Sequence, residues 1–102
     1  MKIYDKLVRD NIPAIMDRDC VKYDIKVVDD NTCLGYLYKK LGEECDELLS
    51  DKNIDEVCDC LEVLFAIGLK YGFSEEEVLK KRLDKKNSRG GFEKNIILKK
   101  TY

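Results

Sequence analysis

Between Val57 and Leu69 the chain carries only two charged side chains, Asp59 and Glu62; the rest is Val, Cys, Leu, Phe, Ala, Ile and Gly on all sides. Asn53 with Glu56 in front and Gly72 behind supply a capping start and a glycine stop, so the run reads as a helix from Asn53 to about Tyr71. A helix that is apolar all round belongs in the middle of a bundle or at a contact between subunits. This segment therefore predicts a mainly all-α fold and a homodimer or higher homo-oligomer.

Its companions are legible on either side. Asp10-Asn11-Ile12-Pro13 reads as a helix start, a capping side chain followed by Pro in the first turn. Asp29-Asp30-Asn31-Thr32 supplies a turn and a cap, and a second helix follows from about Cys33 to Leu49. Leu34, Leu37, Leu41, Cys45 and Leu48 fall on one stripe of it, with Lys40, Glu44 and Glu47 along the flank. Ser74 with Glu77 forms a capping box that opens a fourth helix through about Lys86, and Arg89-Gly90-Gly91-Phe92 breaks it. Lys22 to Val27 alternates polar and apolar, the pattern of a half-buried strand, and Asn95 to Leu98 suggests a short closing strand. The expectation is a single domain over residues 1–102, a bundle of about four helices with one or two short β-strands.

Composition then narrows the chemistry. Histidine and tryptophan are absent, which excludes Ser–His–Asp and Cys–His catalysis and every imidazole metal site. The five cysteines, Cys20, Cys33, Cys45, Cys58 and Cys60, have no CxxC spacing and read as reduced thiols in a cytoplasmic protein. No apolar run approaches the roughly 20 residues of a membrane span. Charge is divided sharply: nine acids against one base from Glu43 to Glu62, nine bases against two acids from Lys80 to Lys100. A basic tail beside so acidic a centre points to a small polyanion gripped by cations with a metal at its other end, rather than to specific nucleic-acid binding. Mutual pairing of the two blocks, or two solvated faces, is the plainer alternative.

Residues three apart on a helix are neighbours, so Glu44 pairs with Glu47 on the second helix and Glu56 with Asp59 on the third. A short loop joins the two helices, so they are expected to lie antiparallel with these pairs facing. Asp59 shares its face with Cys60, Val63 and Ile67, an expensive place for an ionised group. Converging carboxylates repel one another unless a cation sits among them. With no imidazole, the natural choice is an oxygen-seeking ion, Mg²⁺ or Mn²⁺. Glu56 could instead serve only to cap the helix, Glu44 and Glu47 could pair with Lys40 or with the basic tail, and Glu43 and Asp46 sit at ordinary solvated positions.

Glu43-Glu44-x-x-Glu47 followed by Glu56-x-x-Asp59 resembles the EExxE…ExxD signature of the MazG-like all-α nucleoside triphosphate pyrophosphohydrolases. The opening Tyr4-Asp5-Lys6-Leu7-Val8-Arg9-Asp10-Asn11-Ile12-Pro13 and the segment Lys86-Asn87-Ser88-Arg89-Gly90-Gly91-Phe92 resemble the YDKLVRDKIP start and K-x-x-RGGF end of a small subfamily related to phosphoribosyl-ATP pyrophosphohydrolase. Asn11 stands where that subfamily has lysine. The blocks Tyr4–Ile15, Leu41–Leu69 and Lys86–Leu98 together span about half the chain.

The resemblance implies Mg²⁺-dependent hydrolysis of a nucleoside triphosphate, non-standard or surplus, to the monophosphate and pyrophosphate. Carried over by position, Glu44, Glu47, Glu56 and Asp59 would ligate the metal, and Glu43, with Glu44, would help to orient the attacking water. Lys86 and Arg89 could hold the phosphates, with Lys6, Arg9 and Lys40 as further candidates. Two alternatives remain at this point: phosphoribosyl-ATP hydrolysis, and a helical nucleotide-sensing or dimerisation module without turnover.

Overall fold

A computed structural model describes residues 1–102 as four helices and no strand: α1 (Ile12–Arg18), α2 (Asp30–Asp51), α3 (Ile54–Lys70) and α4 (Glu75–Arg89). The all-α expectation holds. The expected strands do not form. Lys22 to Val27 and Asn95 to Leu98 are both irregular, with no ladder hydrogen bond on either. Alternation specifies which face a strand would bury, but a strand needs a partner edge, and neither segment meets one. Ile25, Val27, Ile96, Ile97 and Leu98 are accordingly left exposed.

The helix ends follow from local chemistry. Asp29 caps α2, its carboxylate accepting the Thr32 N–H at 2.8 Å, so the helix starts at Asp30, three residues before the expected Cys33. Lys52 adopts the left-handed conformation (φ 52°) and its N–H closes the last turn on the Leu48 carbonyl. Asn53 then caps α3 by accepting the Glu56 N–H at 3.0 Å. Two residues thus reverse the chain, and α2 and α3 pack as a hairpin. At the other end Gly72 (φ 87°) turns the chain out of α3, and the reciprocal Ser74–Glu77 capping box starts α4. Gly68 faces α4 there, where a Cβ would make ordinary contact at 3.5 Å with the Val78 side chain. Gly90 ends α4 at Arg89, one turn beyond the expected boundary. Asn11 holds the N-cap position of α1, yet its side chain makes no capping bond.

Packing is concentrated in the α2–α3 hairpin, with α4 against α3 and α1 outside both contacts. Only Leu37, Val63 and Glu44 are buried. Cys45, expected on the core stripe, is exposed, whereas Leu34, Leu41 and Leu48 are half-buried. The molecule measures 60 × 31 × 25 Å, with a radius of gyration of 17.8 Å against about 13 Å for a compact chain of this length. Ile54, Val57, Leu61 and Leu64 form an outer stripe along α3 that no part of the chain covers. No helix is long and apolar enough to cross a membrane.

Candidate metal centre

The hairpin brings three carboxylates together. Glu44 enters from the inner face of α2, while Glu56 and Asp59 project from the first turns of α3; one oxygen of each lies within 4.8 Å of the others. Asn53 sets this arrangement by starting α3 so that Glu56 is its third residue. Glu56 itself does not return a side-chain bond to Asn53, so its carboxylate is left to the cluster rather than to the cap.

Burial makes the cluster costly. Glu44 is only 8% exposed, the one buried charged residue in the chain. Its Oε1 lies 3.6 Å from Lys40 Nζ, and its Oε2 is buried without a hydrogen-bond partner. Glu56 Oε2 is likewise buried and unpartnered. Such an orphaned oxygen costs about 1–3 kcal/mol, more when charged, unless it gains a proton or a partner. Desolvation, then repulsion from Glu47, Asp51 and Asp59, pushes the Glu56 carboxyl up to about 7 from its ordinary 4.5. Glu44 is raised as well, by desolvation first and then by Glu47, against the opposing pull of Lys40.

The structure treats the expected ligands unequally. Glu44, Glu56 and Asp59 converge. Glu47 is exposed one turn further along α2, outside the three-oxygen group, although its carboxylate both repels Glu44 and Glu56 and lies within hydrogen-bonding reach of them whenever one carries a proton. Glu43 and Asp46 are exposed, and Glu62 is exposed with no ion pair. Asp59 is half-buried rather than sunk in apolar surroundings, and its Oδ1 accepts a 2.8 Å hydrogen bond from Arg9 Nη2. That partnership, across fifty residues of sequence, carries no spacing signal that sequence reasoning could have read. The same holds for the second tether of the amino-terminal segment, in which the Tyr36 hydroxyl donates to Asp5 at 2.7 Å.

The cations expected to bind phosphate are scattered. Arg9 and Lys40 face the acidic cluster, whereas Lys6 lies over the Tyr4 ring. Lys86 and Arg89 line an open concavity of about 540 Å³ with Arg82, Lys85, the Gly90–Gly91 turn and Phe92. Lys86 is 3.7 Å from Glu93 there. Among the aromatics, Phe92 is almost fully exposed in this concavity, Tyr36 is held by Asp5, Tyr23 is half-buried and the Tyr38 hydroxyl meets that of Tyr71. All five cysteines are free, and none joins a metal-binding group.

The donor set fits a hard divalent ion. Around Mg²⁺, oxygens at about 2.1 Å stand about 3.0 Å apart when adjacent and about 4.2 Å when opposite, so three oxygens within 4.8 Å would draw inward to share one ion. Such an ion would also give Glu44 Oε2 and Glu56 Oε2 the partner that the protein does not. No family model, curated protein or solved structure matches the chain.

Proposed function

We propose that this chain is a divalent-metal-dependent nucleoside triphosphate pyrophosphohydrolase of the MazG-like kind, releasing the monophosphate and pyrophosphate. The observation that carries this reading is the pair of buried, partnerless carboxylate oxygens on Glu44 and Glu56, converging with Asp59. A structural acid placed for stability would have been given a cation or an N–H. Lys40 answers one oxygen of Glu44 and Arg9 one of Asp59, while Glu56 has neither.

Glu44, Glu56 and Asp59 would hold the ion, Mg²⁺ or Mn²⁺, with Glu47 near enough to join them. When bound, the ion would supply charge neutralisation for the phosphates and acidify a coordinated water. The chain's own part is placement: phosphoryl chemistry asks mainly for positioned charge and an oriented nucleophile. Glu43, next to Glu44 on α2, would accept a proton from the attacking water, and Lys86 and Arg89 would grip the phosphate tail. In this reading a second copy of the chain covers Ile54, Val57, Leu61 and Leu64, since two buried aliphatic side chains are a thin core for 102 residues. House-cleaning of non-standard or surplus triphosphates is the corresponding role.

The test is pyrophosphate release over a panel of ordinary, damaged and phosphoribosyl triphosphate substrates, with and without Mg²⁺. Metal-dependent turnover of at least one nucleoside triphosphate, abolished by Glu56→Gln, is the expected result. If no triphosphate is hydrolysed while nucleotides bind, the enzyme reading fails in favour of a sensing module. Selective turnover of phosphoribosyl-ATP would reassign the substrate.

A further inference from the structure

The segment ahead of α1 is a strap with two anchors on the hairpin. Residues 1–10 contain no helix; Asp5 is held by the Tyr36 hydroxyl of α2 at 2.7 Å, and Arg9 by Asp59 of α3 at 2.8 Å. Leu7, between the anchors, is half-buried in a segment otherwise exposed. Arg9 is therefore the hand by which the strap grasps the acidic cluster, and the ligand it grasps is one of the three converging carboxylates.

We infer that Arg9 is a built-in counter-cation for this cluster, holding the strap closed on Asp59 until a divalent ion displaces it and frees the strap. The inference rests on the metal-centre reading above and goes beyond it by assigning the strap a state. Three clustered carboxylates with Glu47 nearby repel one another in the absence of an ion. Two side-chain cations answer them, Lys40 at Glu44 and Arg9 at Asp59. Lys40 is one turn from Glu44 on the same helix and stays tied to it. Arg9 lies in a non-helical segment, its carbonyl fixed by the Ile12 N–H at 3.0 Å but its guanidinium held only by Asp59, so it is the cation that can leave. A divalent ion among these oxygens would sit a few Å from the guanidinium and compete with it for Asp59, and like charges that close repel even at a solvent-exposed pair. Once released, Arg9 is available to an anion arriving with the ion, so that charge in the strap is exchanged rather than lost.

Calorimetric titration with Mn²⁺ of the wild type, Arg9→Gln and Arg9→Lys, paired with the backbone ¹⁵N heteronuclear NOE over residues 4–10 with and without Mg²⁺, tests this on the full chain. Arg9→Gln is expected to bind Mn²⁺ about tenfold more tightly than wild type, and Arg9→Lys, which keeps the charge, to stay within about threefold. The NOE over the strap should fall when wild type is loaded, and should already be low, and indifferent to the ion, in Arg9→Gln. Equal affinities for wild type and Arg9→Gln, or a strap that becomes more rigid on loading, would overturn the inference while leaving the metal centre intact. Failure of all three proteins to bind Mn²⁺ would remove the metal-centre reading, and this inference with it.

Discussion

The α2–α3 hairpin and the α4 arm with its carboxyl-terminal extension carry charge of opposite sign and spend it differently. In the hairpin, acids are drawn against the only buried aliphatic residues, and two of their oxygens are left without partners. On the arm, Lys80, Arg82, Lys85, Lys86 and Arg89 remain in water, and the pairs they make, Lys80 with Asp84 and Lys86 with Glu93, are long and solvent-exposed. Exposed pairs of this kind are worth little, whereas buried unpaired carboxylates cost much. Energy is therefore stored in the hairpin and not in the arm. The sharp division of charge in the sequence is not neutralised by folding one block onto the other, since α4 does not pack on α2.

The widest expected separation between the two regions is in activity. Glu56→Gln should reduce metal-dependent pyrophosphate release by roughly a thousandfold, more than the ~10–100-fold that outer-shell changes cost at metal sites, while raising the melting temperature of the metal-free protein. A Gln that both kept activity and lowered stability would remove the distinction. Next comes the fold. Leu37→Ala should cost about 2–4 kcal/mol in thermal or denaturant unfolding, whereas Leu83→Ala on the exposed arm should change it by less than about 0.5 kcal/mol. Comparable losses at both sites would mean that the arm is packed against something in solution. Smaller again, Lys86→Ala with Arg89→Ala should raise KM about tenfold and leave the metal-induced shift in melting temperature unchanged. Loss of that shift would place the arm at the metal centre itself.

The gentlest of these effects is on pH. Glu56 titrates at about 7 in the folded chain against an ordinary 4.5, and Glu44 is shifted the same way. Between about pH 4.5 and 7 the folded state therefore binds more protons than the unfolded state, and unfolding free energy falls as pH rises. The metal-free melting temperature should decline across this window. With a divalent ion present the trend should reverse, because the ion binds the deprotonated carboxylates. A flat metal-free profile, with Glu56→Gln equally flat, would show that the cluster is hydrated rather than strained.

Much of this was legible in the residues alone where the cause is local. Asp29, Asn53 and Ser74 announce the helix starts because a capping side chain acts within three residues of itself. Glu44 with Glu56 and Asp59 could be placed face to face because a two-residue reversal between regular helices leaves little freedom. The misjudged parts share a different character. Lys22–Val27 and Asn95–Leu98 have the right alternation but depend on a remote edge for pairing, and the buried face of α2 runs through Glu44, leaving its neighbour Cys45 exposed.

The order of the chain thus determined the helices, the acidic pairs and the division of charge, all of which follow from neighbours within one or two turns. The tertiary structure alone decided that Glu47 stands outside the three-oxygen group, that the Lys86–Arg89 cations occupy a concavity of their own, and that Arg9 closes on Asp59. Each is a meeting, or a separation, of side chains far apart in sequence. A long-range contact leaves no periodic trace, because the helix repeat says which way a side chain faces and nothing about what it will find there.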